Sequence, residues 1–373
     1  MEYITYKMIE ISKLNSGGDR PKIYSDTKTN ECCFPIFSNG LQDEGLYGYT
    51  NKATMSSDTI TVSARGANIG EVFYRKEDFL PIVRLITIIP DSNYVHSKYL
   101  YYYLKKVKIE GSGSAQPQIT VPFFSRHKIV IPKDVEYQKK VAYILSAYDN
   151  LIENNNKRIK LLEQMAENLY KEWFVRFRFP EYENVEFVGT LPIGWQYQPI
   201  SESMDFFDSQ RVPLSSMQRD EMEKIYPYYG AAKLMDYVDD YLFDGEYLLL
   251  GEDGTVITTD GFPVLQLVND KFWVNNHAHV IRGKGNISTR FLYLTFCRFP
   301  ITGVVTGSAQ PKISKGRLEK LKILVPDAIT MEHFNNLINP MFDEINVLKK
   351  QLIRITQQRD MLLPRLMSGK LEV

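Results

Sequence analysis

The feature that most constrains this chain is that it repeats itself. The segment Gly113-Ser114-Ala115-Gln116-Pro117-Gln118-Ile119-Thr120 returns as Gly307-Ser308-Ala309-Gln310-Pro311-Lys312-Ile313-Ser314. Each copy leads into a short apolar run ending in proline, Lys128-Ile129-Val130-Ile131-Pro132 in the first and Lys322-Ile323-Leu324-Val325-Pro326 in the second. Both landmarks recur at the same offset, which a duplication produces and chance does not, so the two copies should share one fold.

A long helical pattern follows each copy. In the first, Val141, Leu145, Tyr148, Ile152, Asn155, Ile159, Leu162, Ala166, Leu169 and Trp173 step by four and three in alternation. In the second, Phe334, Ile338, Met341, Ile345, Leu348, Leu352, Ile355, Arg359, Leu362 and Leu366 step identically. This is the heptad seam of a coiled coil, an apolar stripe too narrow for the face of a globular core. A helix over residues 136–177 would be ~60 Å long, more than a small domain can enclose. Asn155 is the polar break in the first seam; it either fixes register or marks a wet point. Pro340 predicts a kink or a delayed start, with a regular helix only from Met341 onward. Leu161, Tyr170 and Phe174 fall off the seam and are read as an exposed outer face.

The stretches before each copy have another character. Short β-like runs such as Thr59-Ile60-Thr61-Val62, Leu85-Ile86-Thr87-Ile88-Ile89, Tyr247-Leu248-Leu249-Leu250 and His279-Val280-Ile281 are punctuated by glycine, asparagine and aspartate. Landmarks keep their order: Pro35-Ile36-Phe37-Ser38-Asn39-Gly40 faces Pro227-Tyr228-Tyr229-Gly230-Ala231-Ala232, and Ser63-Ala64-Arg65-Gly66 faces Gly251-Glu252-Asp253-Gly254. Elsewhere the two stretches differ almost everywhere. The expected architecture is therefore α/β (α+β): two heads over residues 1–132 and 181–326, and two long helices over 133–180 and 327–373. A duplicated scaffold with divergent heads suggests one task performed on two targets.

With 373 residues there is room for two ordinary domains. No apolar run is long enough to span a membrane, and Met1-Glu2-Tyr3-Ile4 does not open like a signal peptide. Cys32 and Cys33 adjoin and Cys297 stands apart, which makes neither a zinc site nor a disulfide framework and points to reduced thiols in the cytoplasm. Lys plus Arg and Asp plus Glu balance at 45 each, so any nucleic-acid binding must rest on local basic patches or on charged partners.

Several of these residues resemble a known family. Thr306-Gly307-Ser308-Ala309-Gln310-Pro311-Lys312-Ile313-Ser314 looks like the lead-in of a region found in type I restriction-modification specificity subunits. Trp173-Phe174-Val175-Arg176-Phe177, at the end of the first helical pattern, is similar to the same region. Leu191-Pro192-Ile193-Gly194-Trp195 resembles the opening of a target recognition domain, and Leu363-Pro364-Arg365-Leu366-Met367-Ser368-Gly369 the C-terminal ending. The first head departs from the pattern, since it lacks the Leu-Pro-x-Gly-Trp opening.

The resemblance implies two target recognition domains with pseudo-two-fold symmetry, joined by an antiparallel coiled coil that sets the gap in a bipartite double-stranded DNA site. It implies a chain without catalysis or cofactor of its own. Two modification subunits using S-adenosylmethionine would dock on the helices, covering the off-seam residues, and motor-nuclease subunits using ATP and magnesium would join for cleavage. The rival reading, a coiled-coil adaptor that binds proteins through both heads, fits the repeat equally well.

Arginine suits guanine, and asparagine or glutamine suits adenine, because their donor and acceptor patterns match those base edges. The loop candidates are Arg20, Asn39, Arg65 and Asn68 in the first head and Gln210, Arg211, Asn275 and Asn276 in the second, each also readable as a solvated turn. Gln116 and Gln310, with Ser114 and Ser308, could meet phosphates or simply form a turn. Arg126, Lys128, Lys312, Lys315 and Arg317 would attract phosphate without reading sequence. There is no phosphate-binding G-x-x-x-x-G-K-[ST] loop. Asn339-Pro340-Met341-Phe342 is too incomplete for a methyltransferase motif. His277 and His279 alternate as on a strand with one side buried, with no metal-ligand pattern around them. Glu252-Asp253 is an acidic loop that could hold magnesium, read cytosine amino groups or face solvent.

Overall fold

The computed structural model describes residues 2–107, 109–111, 117–307, 310–371 and 373. The chain divides into two compact units, Met1–Asn154 with Leu352–Val373, and Asn155–Gln351. Both long helices are divided between them.

In the first unit, β1 (Tyr3–Lys7) pairs antiparallel with β9 (Lys128–Pro132), so the run ahead of the helix closes the head against its own N-terminus. A four-stranded antiparallel sheet runs in the order β2 (Ser12–Ser16), β8 (Ile86–Pro90), β5 (Ile60–Val62), β6 (Val72–Tyr74). A second sheet has β3 (Phe34–Phe37) between β4 (Leu46–Thr50), antiparallel, and β7 (Leu80–Pro81), parallel. The helix α1 (Ser97–Lys106) packs Tyr99, Leu100, Tyr102 and Leu104 onto the larger sheet, in one core with Ile60, Ile86 and Ile88. Gly17 lets the chain pass close to β7, because a Cβ there would stand 2.8 Å from the Pro81 carbonyl carbon.

The second unit repeats this plan with one strand added. Here β10 (Gln196–Pro199) pairs with β19 (Lys322–Val325), as β1 does with β9. The larger sheet runs β11 (Met204–Phe206), β18 (Ala278–Gly283), β15 (Tyr247–Gly251), β16 (Leu265–Val268). The smaller has β12 (Tyr226–Tyr229) between antiparallel β13 (Leu234–Val238) and parallel β17 (Lys271–Val274), with one further edge strand, β14 (Phe243–Asp244). The helix α3 (Thr289–Phe296) covers the larger sheet as α1 does in the first unit.

Helix α2 runs from Val135 to Tyr170 and ends in a π-helical turn, Lys171–Val175; helix α4 runs from Ala328 to Met367. Within each unit the two pair antiparallel. In the first, Tyr137 donates to the Leu366 carbonyl at 3.0 Å and Asp149 pairs with Arg359 at 2.8 Å. In the second, Asn155 donates to Gln351 at 3.3 Å and Arg158 pairs with Glu344. Val141, Leu145, Ile159, Ile345 and Leu348 are buried in the seam, while Tyr148, Ile152, Leu162, Leu169, Leu352, Ile355 and Leu362 are half-buried. Asn155 is itself buried and has its partner across the pair, so it serves register better than a wet seam would.

Two expectations are corrected. Helix α4 does not wait for Met341: it passes through Pro340 without a break. Phe334, Ile338, Phe342 and Ile345 are buried on both sides of the proline. Burying four such side chains outweighs the ~3 kcal/mol an interior proline costs. Arg290 also holds the Asn339 carbonyl at 2.7 Å, just before the proline. Nor are Tyr170 and Phe174 an exposed outer face. They are 8% and 5% exposed, packed among Trp173, Trp195, Phe291 and Phe334, whereas Leu161 is exposed as expected.

That aromatic cluster joins two sequence motifs. Trp195, closing Leu191-Pro192-Ile193-Gly194-Trp195, lies against Phe174, Phe177 and Phe179 and donates its indole N–H to Asp327 at 3.1 Å. Asp327 caps α4, accepting from the Ile329 and Thr330 amides at 3.0 Å each. Burial raises its carboxyl, but the bonds from Thr330, Trp195 and Ile329 outweigh this and hold it below the ordinary value. Asp327→Ala should cost the second unit about 1–2 kcal/mol, read as a lower urea midpoint. Because the folded value is depressed, this stabilisation is complete above the unfolded pKa of about 3.9 and fades as pH falls through the folded one. The wild-type and alanine stability curves should therefore converge in acid.

Candidate nucleic-acid interface

In the first unit one side chain ties the loops together. Asn39 follows β3 and is half-buried. Its Oδ1 accepts from the Ala64 amide at 2.7 Å, and its Nδ2 donates to the Val83 carbonyl at 2.7 Å. Its own carbonyl accepts from Asn68 Nδ2 at 3.4 Å. The loop after β5 and the turn after β7 are thus fixed to one point. A third loop joins them, because Val83 N donates to the Gly18 carbonyl at 2.8 Å and Arg84 N to that of Gly17 at 3.2 Å.

The turn itself is unusual. Leu85 N donates to the Ile82 carbonyl at 3.1 Å, and both central residues are left-handed, Val83 at φ 54° and Arg84 at φ 62°. This is the type I′ geometry that normally takes Asn-Gly. A β-branched residue adopts it only where the surroundings enforce it. The three loops carry Arg20, Arg65 and Arg84, all exposed. Arg20 lies over the Tyr24 ring at 4.6 Å and donates to Tyr47 at 3.0 Å. Among the described residues, no carboxylate pairs with any of the three.

The second unit builds the equivalent junction differently. Arg211 sits where the loops meet, its side chain only 12% exposed. It donates to Glu252 at 2.7 Å and to the Ala278 and Asn276 carbonyls at 2.7 and 3.4 Å. His279 is fully buried, with Nδ1 2.6 Å from Asp208 and Nε2 2.8 Å from the Ile313 carbonyl. A carbonyl can only accept, so Nε2 donates. Burial raises the Asp208 carboxyl, but His279, the Val280 amide and Arg211 outweigh this and hold it low. Asp208, Glu252 and His279 bring their ligand atoms within 4.8 Å of one another, the spacing a metal ion could bridge. The guanidinium already supplies the positive charge there, so the group is a closed polar network and fits no metal as it stands.

These placements sort the sequence candidates. Asn39, Arg211 and Asn275 are engaged within the fold. Asn275 is buried, bonded through its amide to Tyr229 and through Oδ1 to the His277 amide. Each therefore helps to position a loop. Asn68 is half-buried against Asn39, and Glu252 is half-buried and held by Arg211 at 2.7 Å. Arg20, Arg65, Gln210, Asn276, Gln310 and Lys312 are exposed. Arg126 is exposed beside Phe123, and Lys315 lies over Phe206 at 4.8 Å. Gln116 falls outside the described residues, as do Ser114 and Ser308. Arg84, which Val-Arg with no turn signal does not single out in the sequence, is exposed on the same loop cluster. Asn39→Ala would leave the Ala64 amide and the Val83 carbonyl unpartnered, and should destabilise the first unit by about 1–3 kcal/mol in chemical unfolding.

The comparisons with known proteins decide the family. The model of the type I restriction modification DNA specificity domain matches twice, over residues 2–164 and 192–349. The chain belongs to this family. The two matches correspond to the two copies seen in the sequence and to the two heads of the structure. A specificity subunit of the type I restriction enzyme MjaIX of Methanocaldococcus jannaschii is 29% identical over 343 residues, covering 84% of this chain and 78% of the relative. A second from that organism, of the enzyme MjaVIII, is 22% identical and covers 95% and 90%. A putative type I specificity subunit of Mycoplasma pneumoniae is 35% identical over 155 residues, covering 41% of this chain and 45% of the relative. In fold, the chain is similar to the crystal structure of a type I restriction-modification S subunit from M. genitalium, with a TM-score of 0.70 over 98% of this chain and 96% of that one, at 16% identity.

Proposed function

We propose that this family member is the non-catalytic DNA-specificity subunit of a type I restriction-modification complex, each head reading one half of a bipartite site. The observation that carries this reading is the pair of loop junctions. The same strands and loops converge in both heads, but Asn39 organises an arginine-bearing surface in one and Arg211 a surface bearing Asp253, Asn276, His277 and Lys312 in the other. One scaffold with two unlike reading surfaces is what an asymmetric two-part target requires. The paired helices would act as the ruler that fixes the unread gap, and linking two weak readers raises their joint affinity. Methyl transfer from S-adenosylmethionine, and cleavage driven by ATP with magnesium, would belong to partner subunits. Exposed Tyr143, Leu151, Leu161 and Met165 on α2 offer apolar surface for modification subunits. Among the described residues no helix is long and apolar enough to cross a membrane, and the complex would work on DNA in the cytoplasm.

The test is to co-express the chain with a modification subunit and map methylated adenines in host DNA by single-molecule sequencing. One bipartite motif with a constant gap is expected. Exchanging residues 1–110 for another head should rewrite one half and leave the other. A stable complex with no such motif, and binding insensitive to salt, would move the protein-adaptor reading ahead, since phosphate contacts weaken steeply with salt.

A further inference from the structure

The loop junction of the first head leaves a basic surface in a chain of zero net charge, and its construction says what that surface is for. Among the described residues, Arg65 and Arg84 have no side-chain hydrogen bond, ion pair or ring contact. Exposed Glu71, six residues after Arg65, and exposed Asp19, next to the Gly18 that bonds Val83, pair with neither. Arginines serving only solubility need no rigid support, yet these two have it. The Arg84 turn is fixed through the Val83 carbonyl by Asn39, through the Val83 and Arg84 amides by Gly18 and Gly17, and by its own bond from Leu85 to Ile82. Arg65 follows Ala64, whose amide is held by the other end of the same Asn39 side chain and whose carbonyl accepts from Ile119 at 2.9 Å. Two free guanidinium groups are therefore presented from backbone points tied to one asparagine.

We infer that Arg65 and Arg84 are specificity-determining residues of the first head, and that the half-site it reads contains guanine contacted by guanidinium at N7 and O6. This rests on the DNA-reading function proposed above. Guanine is the base whose major-groove edge shows two adjacent acceptors, which a guanidinium fork matches with two parallel bonds. Phosphate attraction would need charge alone, and a flexible loop would serve it. Enforced left-handed geometry at Val83 and Arg84 suits a group that must meet a base edge at a defined angle. Among the described residues the junction of the second head shows no counterpart: its arginine, Arg211, is turned inward, so the guanidinium contacts are confined to one half.

The test uses the chain co-expressed with its modification subunit, as wild type and as Arg84→Gln, Arg84→Lys and Arg65→Gln. Motifs are read from methylated host DNA. Methylation rates are then measured on synthetic duplexes carrying the wild-type motif, with each first-half guanine replaced in turn by 7-deazaguanine, which lacks the N7 acceptor. The expected result is a guanine in the first half whose replacement slows the wild-type complex about 10–100-fold. The Gln variants should relax the motif at that base and become insensitive to the replacement, with the second half unchanged. The Lys variant keeps the charge but loses the fork, so it should also relax the motif. If the Gln variants keep the motif and lower methylation evenly, or if Lys substitutes fully, the arginines are phosphate contacts and the inference is overturned. A first half without guanine overturns it as well. Each of these outcomes leaves the bipartite motif standing, whereas the absence of any motif from the wild type would remove the DNA-reading function itself. Chemical unfolding of each variant should match the wild type, since neither side chain supports the fold.

Discussion

Phe174→Ala should lower the stability of the second unit by about 3–5 kcal/mol, the range for removing a fully packed phenylalanine. The ring is not one aromatic among many. It lies 4.7 Å from Phe334, 5.1 Å from Tyr170, 5.2 Å from Phe291 and 5.6 Å from Trp195, centroid to centroid. Those four partners come from the second long helix, the end of the first, the helix over the larger sheet and the opening of the head. Truncation would leave a cavity lined by large rigid rings that cannot collapse into it, which is where such cavities cost most. In urea the midpoint should fall by roughly 1–2 M. Leu161→Ala, on the same helix but 58% exposed, should stay within about 0.5 kcal/mol of wild type. Equal and small effects for the two would mean that the junction is not the anchor described.

The contrast between Phe174 and Leu161 also shows where the sequence stops being readable. Both sit off the heptad seam, and periodicity alone treats them alike. The difference arises because the helix ends in a π-helical turn over Lys171–Val175, which adds a residue to the turn and rotates every later side chain relative to the heptad phase. It then meets a globular head, whose packing no helical period can encode. The seam itself was legible from Val141 to Leu366 because one physical repeat governs it throughout. That the two heads share one skeleton was legible too, since the duplication supplied a second copy of each landmark. Which loop side chains are left free was not. Asn39 and Arg65 are both polar residues in glycine-flanked loops, yet one is consumed by two backbone bonds and the other is free. Arg84 was hidden because its type I′ turn lacks the Asn-Gly that would announce it, the conformation being imposed by Asn39 from 44 positions away. Arg211 reads from the sequence as a free loop arginine, and only the fold brings Glu252 and the Ala278 carbonyl to its guanidinium.

The same logic, a buried arginine holding backbone that the local sequence would not hold, gives the second large effect. Arg290→Ala should destabilise the second unit by about 3 kcal/mol, the low end for breaking a buried ion pair. Its Nε lies 2.9 and 3.0 Å from the two Glu246 oxygens, and its Nη2 is 2.6 Å from Asp343. Burial lowers the guanidinium pKa, but Glu246 and Asp343 outweigh this and raise it, so the group stays charged at all working pH. Asp343 is 67% exposed and can regain water, so its share is small. Glu246 is 20% exposed and cannot do so fully. The third partner distinguishes this site from an ordinary ion pair. Nη1 holds the Asn339 carbonyl, in the peptide bond that precedes Pro340. Replacing both charges, as in Glu246→Leu with Arg290→Met, should therefore recover the electrostatic part of the loss while leaving the helix weakened at the proline. Hydrogen exchange at amides 337–345 should be faster in the double variant than in wild type, even where global stability is restored. If exchange there returned to the wild-type rate together with stability, the proline would be carried by apolar burial alone, and Arg290 would have no part in keeping the second helix continuous.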